Sequence, residues 1–405
     1  MISRIYASLF FSIVLAASGA FFIHTAAAGT PGAVHERKII TYRNGVSDTE
    51  KNALLGHARA VTIKHLTNNK NSVALLDADG VRVMESDPRV LRVEDDVIAF
   101  ALGKVEAAGK GAPAPVQPAE VLPWGIDRIG APAVWSATMT VPTTGTGIRV
   151  AVIDTGIELA HPDLAANIKG SYNAISPTKS ANDDNGHGTH VAGIIGALDN
   201  TIGVVGTAPT ADLYAVKVLN RNGSGYISDI IEGIDWAVAR NINVINMSLG
   251  ASSDVQALHD AVIRAHNAGI VVVAAAGNDS GGAVNFPGAY PEVIAVSATD
   301  SNNTIASFSS VGPEVDLAAP GAAIYSTYKG QTYRTLSGTS MASPHVAGGA
   351  ALLLSVPAKC DTDLSGACSP DEVKARLETT ALDLGAVGQD NQYGAGLLNI
   401  WSAMQ

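Results

Sequence analysis

Short apolar runs alternate with more polar segments from about residue 148 to residue 298. Five runs have the continuous apolar character of strands buried on both faces: 148–154, 213–219, 243–249, 270–277 and 292–298. Between them, the segments 228–241 and 253–269 each begin with Ser-Asp, which favours a helix start. Alternating strands and helices predict an α/β fold in which helices cover both faces of a mainly parallel sheet.

A smaller unit with a different pattern precedes this region. Its extended runs are VHERKIITYRN (34–44), VTIKHL (61–66), SVALLDA (72–78) and VLRVEDD (90–96). Residues 47–60 predict a helix that begins at Ser47 or Asp48. Residues 101–120 are rich in Ala, Gly and Pro without a period, which predicts a linker. We therefore expect a small α+β domain, a linker and then the larger domain.

The first residues have the pattern of an export signal. Arg4 supplies a positive charge, residues 5–23 are apolar, and Ala26-Ala27-Ala28 offers small residues for cleavage before Gly29. The alternative is an uncleaved membrane anchor, because the apolar stretch nearly reaches the length that spans a bilayer. His24 and small residues interrupt the stretch, so we expect cleavage and a secreted, extracellular protein whose mature form has no membrane segment.

Charge and cysteine content narrow the classes of function. The formal net charge is −11 and the isoelectric point is near 5.3, which argues against a nucleic acid partner, since phosphate binding needs a basic surface. The two cysteines, Cys360 and Cys368, are expected to form a disulfide in an exported protein. A reactive thiol is disfavoured because no histidine accompanies either cysteine in a recognisable motif.

Three segments carry candidate chemistry. Asp154 ends an apolar strand, where open α/β sheets place their ligands, and His187 precedes a Gly- and Ala-rich helix. Ser340 begins another helix, near unpaired backbone N–H groups that stabilise negative charge. Singly, each residue is more often a turn, structural or capping residue. Together, in the order Asp, His, Ser, they indicate a serine hydrolase, because that order is one of the known arrangements of the triad.

Four stretches resemble the signature motifs of the subtilisin family: 154–156, 187–193, 274–278 and 338–348. The similarity runs through nearly all of 122–405. It implies a three-layer α/β/α fold and a secreted serine endopeptidase that acts on protein and peptide substrates as a monomer. It also implies a signal peptide over 1–28, an inhibitory propeptide over 29–102, a linker over 103–121 and a peptidase domain over 122–405.

The resemblance assigns a role to each candidate residue. Ser340 attacks the scissile carbonyl and forms an acyl-enzyme, while His187 takes up the proton and later gives it to the leaving amine. Asp154 orients the imidazole and stabilises its charged form. Asn278 would supply a side-chain amide to the oxyanion hole, beside the backbone N–H of Ser340. A catalytically silent binding protein is the alternative, but all four positions hold competent residue types.

The same resemblance implies two segments that hold a peptide substrate as an added strand between them. They are Gly223-Ser224-Gly225 and Ser248-Leu249-Gly250. The pocket for the residue before the cleaved bond would be walled by 249–250 and by Ala275-Ala276-Gly277. Asn285 stands at the floor of this pocket, where relatives commonly carry glycine. Its amide takes up volume and adds polarity, which argues against a preference for large aromatic residues.

By resemblance, the run from Leu198 to Val204 is similar to a high-affinity calcium loop. All its expected ligand atoms are oxygens, as Ca²⁺ prefers. They are the carbonyls of Leu198, Ile202 and Val204 and the side chains of Asn200, Asp163 and Glu120. The alternative is an ordinary loop between a helix and a strand, with an asparagine turn.

A second calcium hypothesis comes from the residues alone, because the segment 361–372 fits the spacing of an EF-hand loop. Its side-chain ligands would be Asp361, Asp363, Ser365 and Glu372. Gly366 supplies the sharp turn, whereas Cys368 and Pro370 are atypical inside such a loop. Residues 369–372 are also a good helix start by themselves. A disulfide-pinned insertion without metal is therefore the competing interpretation.

The end of the propeptide is expected to lie in the substrate groove of its own peptidase domain. Residues 93–102 look like that tail, so we expect self-cleavage after Leu102 and later trimming of the linker. The chain ends at Gln405 without a predicted binding domain, which favours a general degradative protease over one that processes a single partner.

Overall fold

The computed structural model describes residues 34–105, 117–136 and 139–405. The predicted signal peptide at 1–28 and most of the predicted linker lie outside the described residues. Within these ranges, no helix combines the length and the apolar character needed to cross a bilayer.

Four antiparallel strands and two helices form the first unit. The strands are β1 (Glu36–Tyr42), β2 (Val61–His65), β3 (Asn71–Leu76) and β4 (Val90–Asp95), in the order β2-β3-β1-β4. The helices are α1 (Asp48–His57) and α2 (Ala78–Ser86). The Ser47 side chain caps α1, at a position that the sequence predicted. The sequence pattern did not predict α2, which begins where the Asp77 carboxylate accepts from Gly80 N–H at 2.7 Å.

A seven-stranded sheet forms the centre of the larger region, in the order β15-β14-β13-β11-β7-β9-β8, and all its strand pairs are parallel. The elements of this region are β5 (Ile98–Ala101), β6 (Lys104–Val105), α3 (Trp124–Arg128), α4 (Ala131–Trp135), β7 (Arg149–Asp154), β8 (Ile168–Asn173), α5 (His187–Gly196), β9 (Asp212–Lys217), β10 (Ser224–Tyr226), α6 (Ile227–Ala239), β11 (Val244–Met247), β12 (Leu249–Gly250), α7 (Gln256–Asn267), β13 (Val271–Ala275), β14 (Val293–Thr299), β15 (Leu317–Pro320), β16 (Ile324–Tyr328), β17 (Thr332–Ser337), α8 (Thr339–Leu354), α9 (Pro370–Thr379) and α10 (Ile400–Ala403).

Helices cover both faces of this sheet, because alternate residues of each strand point to opposite sides. On β7, Val150 and Val152 belong to the core that includes α5 and α8. Ala151 and Ile153 belong to the core that includes α6 and α7. All four residues are fully buried. The predicted three-layer α/β/α fold, preceded by a small α+β unit, is confirmed.

The four-stranded sheet of the first unit packs against the layer formed by α6 and α7. Ile39, Leu66 and Val73 of this sheet join the hydrophobic core of those two helices. The opposite face, with Ile40 and Leu76, packs on α1 and α2. Burial of apolar residues on both faces fixes the position of this sheet. The following strand β5 lies between β10 and β12 in a separate three-stranded sheet.

Candidate active site

Asp154 and His187 meet at the carboxyl end of β7, an interior strand of the seven-stranded sheet. His187 is the first residue of α5, and its Nδ1 lies 2.9 Å from Oδ1 and 3.0 Å from Oδ2 of Asp154. Both side chains are buried. A carboxylate in this position fixes the imidazole with its proton on Nδ1, so that Nε2 is free to accept a proton.

The carboxylate of Asp183 stabilises the turn that leads into α5. This residue was not among those predicted from the sequence. Its Oδ1 accepts hydrogen bonds from Gly186 N–H at 2.9 Å and from the Thr155 hydroxyl at 2.9 Å. Its Oδ2 accepts from the Thr189 hydroxyl at 2.6 Å. The carboxylate therefore ties the end of β7 to the start of α5 and fixes the place from which His187 extends. Its position four residues before His187, inside Asp-Asp-Asn-Gly-His, was the available signal.

Two opposing effects act on the pKa of His187. Burial lowers the pKa, because it disfavours the charged imidazolium. The charge and hydrogen bond of Asp154, with a smaller contribution from Asp183, outweigh burial and raise the pKa above its ordinary value. The Nε2 atom of His187 is buried and has no hydrogen-bond partner among the described residues. The site therefore stabilises the protonated form of this imidazole.

Ser340 lies at the start of α8 and is fully buried. Its hydroxyl donates to the backbone carbonyl of Ser248 at 2.8 Å and not to Nε2 of His187. The direct contact between hydroxyl and imidazole that the sequence led us to expect is therefore absent from this arrangement. A rotation about the Cα–Cβ bond of Ser340 is needed to direct the hydroxyl toward the imidazole, as is common before a reaction complex tightens.

Two donors converge on the backbone carbonyl oxygen of Leu102. The Asn278 side-chain amide donates to it through Nδ2, and Ser340 N–H lies 3.4 Å from it. The orientation of the Asn278 amide is fixed because its Oδ1 accepts from Thr339 N–H at 3.0 Å. A carbonyl oxygen between a side-chain amide and a helix N-terminal N–H has the geometry of an oxyanion hole.

Residues 98–102 cross the site as an added antiparallel strand. β5 pairs with β10 on one side, where Phe100 is opposite Ser224, and with β12 on the other, where Ala101 is opposite Leu249. Ala101 N–H donates to Gly223 O at 2.8 Å, and Leu102 N–H donates to Ser248 O at 3.2 Å. The two segments proposed for substrate, 223–225 and 248–250, therefore hold the chain's own segment by main-chain pairing.

The residues after Leu102 also pair with a strand next to the site. β6 pairs with β17, with Lys104 opposite Ser337 and Val105 opposite Leu336. The Leu102–Gly103 bond lies between these two paired segments, next to His187 and Ser340.

The Leu102 side chain lies beside the predicted pocket residues. A β-carbon on Gly250 would be 2.9 Å from Cδ1 of Leu102 and 2.9 Å from Cβ of Asn285, so Gly250 lies close to both side chains. Asn285 N–H donates to Ala276 O at 2.8 Å, and its Nδ2 donates to Asp279 at 3.1 Å. Ala275 and Gly277, on either side of Ala276, are buried with it.

Acidic residues just before β5 bind the N-termini of the two helices beneath the first unit. Asp96 accepts from Ser228 N–H at 2.9 Å and from the Ser228 hydroxyl at 2.7 Å at the start of α6. Glu94 lies 3.4 Å from Ala257 N–H at the start of α7. These carboxylates satisfy free helical N–H groups and align with the helix dipoles. They anchor the strand that enters the site.

Around Asp163, the loop predicted to bind calcium gathers several oxygen-bearing groups. Asp163 is fully buried, and its oxygens accept from Asn200 Nδ2 at 2.8 Å and Val204 N–H at 3.0 Å. Glu120 accepts from Asn200 N–H at 2.7 Å. Burial, with a contribution from the charge of Glu120, raises the pKa of Asp163 to about 6. A cation at this point would offset the cost of a buried carboxylate next to a second one.

Hydrogen bonds from the other residues of this loop fix the conformation of its backbone. Leu198 N–H donates to Asp163 O at 3.0 Å, and Ile202 N–H donates to Asn200 Oδ1 at 2.7 Å. Val121 N–H donates to Gly203 O at 2.9 Å, which fixes the segment carrying Glu120 against the loop. The donor set of carboxylates, an amide and backbone carbonyls fits a hard cation such as Ca²⁺.

The segment 361–372 also brings carboxylates together, and the predicted disulfide closes it. Cys360 and Cys368 are bonded, with their Cα atoms 5.5 Å apart. Ligand oxygens of Asp361, Asp363 and Glu372 lie within 4.8 Å of one another. Glu372, however, accepts from Thr362 N–H at 2.7 Å.

Hydrogen bonds within the segment also engage the other predicted ligands. Asp361 accepts from Gly366 N–H at 2.9 Å, and Asp363 accepts from Ser365 N–H at 2.9 Å. The Ser365 hydroxyl donates to Ala367 O at 2.9 Å. Ser369 caps α9 in a capping box with Glu372.

Comparison with known proteins places this geometry in a family. The model of the Subtilase family matches residues 145–396, which include all four candidate catalytic positions. The chain belongs to the subtilase family. It is 41% identical over 410 residues to Subtilisin NAT of Bacillus subtilis subsp. natto, covering 99% of each chain. It is 42% identical over 328 residues to an alkaline protease of Shouchella clausii, covering 81% of this chain and 77% of that protein.

Two conclusions follow from membership in this family. The parallel sheet between helix layers is the subtilase fold, and the chain is a serine endopeptidase of that family. The match to Subtilisin NAT extends over nearly the whole chain, so it includes the N-terminal four-stranded unit as well as the peptidase region.

Proposed function

We propose that this subtilase is a secreted, self-processing precursor whose triad of Asp154, His187 and Ser340 cleaves the bond between Leu102 and Gly103. The observation that carries the proposal is the Leu102 carbonyl, which lies between the donors of Asn278 and Ser340. A bond in this position is a substrate bond, because these donors stabilise the negative oxygen that forms on attack.

The proposed reaction uses Ser340, His187 and Asp154 in turn. Ser340 Oγ attacks the carbonyl carbon of Leu102, and its proton passes to Nε2 of His187. The bond between carbon and nitrogen then breaks, and the same proton moves to the amine of Gly103. Water hydrolyses the Leu102 ester, with His187 taking one proton from the water and returning a proton to Ser340 Oγ. Asp154 stabilises the imidazolium in both steps, in keeping with the raised pKa of His187.

The oxyanion donors supply a large share of the rate. In this enzyme family, loss of the side-chain amide donor costs about 2.7–4 kcal/mol of transition-state stabilisation. Asn278 is oriented for that role by the bond from Thr339 N–H, so the amide need not reorganise during the reaction.

After cleavage, the first unit remains an inhibitor of the enzyme that it has just released. Its tail, 98–102, stays paired with β10 and β12, and Asp96 and Glu94 still bind the starts of α6 and α7. We assign residues 1–28 to a signal peptide, 29–102 to the propeptide, 103–121 to a linker trimmed later and 122–405 to the secreted peptidase. Export is supported by the pattern of 1–28, and the disulfide of Cys360 is compatible with an oxidising compartment.

The substrates we propose are extended segments of proteins and peptides, bound by a monomer. The groove contacts Ala101 and Leu102 through backbone atoms, which accept any sequence. Selection of the residue before the cleaved bond falls to the pocket that includes Gly250 and Asn285, next to Leu102.

We assign Ca²⁺ to the loop 198–204. Its ligands would be Asp163, Asn200 and Glu120 with the carbonyls of Leu198, Ile202 and Val204. Asn200 would turn its amide so that the oxygen faces the ion. When bound, the ion would neutralise the two carboxylates and tie the segment before α3 to this loop, and it takes no part in the reaction.

Labelling with a serine-directed phosphonate tests the function. The mature enzyme is expected to incorporate the reagent at Ser340, and the variant Ser340→Ala should not be labelled. If the folded wild-type enzyme is not labelled and cleaves no peptide, the chain is instead a silent binding protein.

A further inference from the structure

The backbone at Gly103 is held from both directions. On one side, Leu102 donates its N–H to Ser248 O at 3.2 Å and its carbonyl accepts from Asn278. On the other side, Lys104 pairs with Ser337 in the antiparallel contact of β6 with β17. Gly103 is the single residue between these two anchors, so its backbone has little room to shift.

A side chain at position 103 would collide with the catalytic histidine. A β-carbon there would lie 2.8 Å from both Nε2 and Cδ2 of His187, and 3.4 Å from Cε of Met341. Nonbonded carbon atoms pack best at about 3.5–4.0 Å, so the first two contacts are too short.

The groups that surround Gly103 are held in place by their own contacts. The His187 ring is held by Asp154 at 2.9 and 3.0 Å and extends from a fully buried helix. A shift of the backbone at 102–103 away from His187 is blocked by Gly338. A β-carbon on Gly338 would be 3.1 Å from Cα of Gly103 and 2.3 Å from the Leu102 oxygen. The backbone of Gly338 therefore already packs closely against the backbone at 102–103.

We infer that the subsite for the residue after the cleaved bond selects glycine, and that Gly103 is the matching residue in the precursor. This inference rests on the proposed cleavage of the Leu102–Gly103 bond. Any larger residue must displace either the imidazole of His187 or the scissile carbonyl. Both are positioned for the chemical step, so the cost falls on kcat more than on KM.

Peptides with the sequence of residues 98–105 and glycine, alanine or valine at position 103 test the inference on the wild-type mature enzyme. We expect kcat/KM to fall about tenfold with alanine, as for one excess methylene group in a closed site. Valine should lower kcat about 10²-fold, as a displacement of reacting groups by 1 Å does. Because the same wild-type enzyme cleaves all three peptides, misfolding of a variant cannot cause this order of rates.

The precursor supplies a second measurement. Rates of self-cleavage should decrease in the order wild type, Gly103→Ala, Gly103→Val. Gly56→Ala is the matched control, because Gly56 lies in α1 and no neighbouring atom of the described ranges is within 4 Å of its β-position. That variant should process at the wild-type rate.

The outcomes separate the two proposals. Cleavage of the glycine peptide together with equally fast cleavage of the valine peptide overturns the glycine selectivity and leaves the protease assignment intact. Failure to cleave any of the three peptides, together with absence of phosphonate labelling, overturns the proposed function itself.

Discussion

The site around Leu102 was predicted from the resemblance to the subtilisin family and the loop 361–372 from residue spacing, and the structure uses their polar groups differently. Around Leu102, donors from Asn278 and Ser340 converge on a carbonyl from a distant part of the chain, and His187 Nε2 has no hydrogen-bond partner in the part of the chain that the structure describes. In the loop, each predicted carboxylate accepts hydrogen bonds from N–H groups of its own segment.

This difference is informative because a motif fixes which residues occur together but not what they face. Groups directed at an atom outside their own segment indicate a ligand, whereas groups satisfied by neighbouring N–H groups also serve as turn and cap residues. The loop 198–204 lies between these cases. Asp163 accepts hydrogen bonds there, yet it is fully buried and close to Glu120.

The largest expected effect is the loss of self-cleavage in Ser340→Ala. Removal of the nucleophile costs about six decades in turnover for this enzyme family, so the precursor should stay uncut on gels. Ser355→Ala, at the other end of α8, is the control and should process normally. Processing of the Ser340→Ala precursor in the absence of other proteases would contradict the assignment.

Next in size is the replacement Asp154→Asn, which should lower kcat about 10⁴-fold. It should also move the acidic limb of the pH profile. The imidazole must be neutral to act as a base, and Asp154 raises the pKa of His187. Without that charge the pKa falls, so activity should persist to lower pH than in the wild type. A limb that stays in place would exclude His187 as the titrating group.

Asn278→Ala should lower kcat about 10²–10³-fold with little change in KM. The reason is that the amide gains strength as the Leu102 oxygen becomes negative. Steady-state kinetics on the peptide with the sequence of residues 98–105 measure the two constants separately. A rise in KM with unchanged kcat would instead show that the amide binds the ground state and the transition state equally.

Calcium at the loop 198–204 should affect stability. At a free concentration one hundred times Kd, a bound ion adds about 2.7 kcal/mol to the free energy of unfolding. A chelator should therefore lower Tm of the wild type and leave Asp163→Asn unaffected. Asp199→Asn, an exposed neighbour with no predicted ligand role, is the control and should respond like the wild type. An equal response of both variants would contradict the assignment.

The smallest effect concerns the loop 361–372. The EF-hand hypothesis predicts that the double variant Asp361→Ala, Glu372→Ala binds one calcium ion fewer in a titration. An unchanged stoichiometry would leave a disulfide-pinned insertion whose carboxylates act only in the turn and the helix cap.

Much of the fold was predictable because the buried strands are continuous apolar runs, as in Val150–Ile153. The helix α2 was not, since Gly80, Val81 and Val83 have low helix propensity and the capping bond of Asp77 decides its start. The positions of the site residues followed from short motifs. The role of Asp183 and the rotamer of Ser340 did not, because both depend on contacts between distant segments.

Mass spectrometry of the precursor during its first cleavage tests the central claim most directly. One product should end at Leu102 and the other should begin at Gly103, both at early times before the linker is trimmed. A first cut outside residues 98–105, or a mature chain that begins upstream of residue 90, would contradict the account.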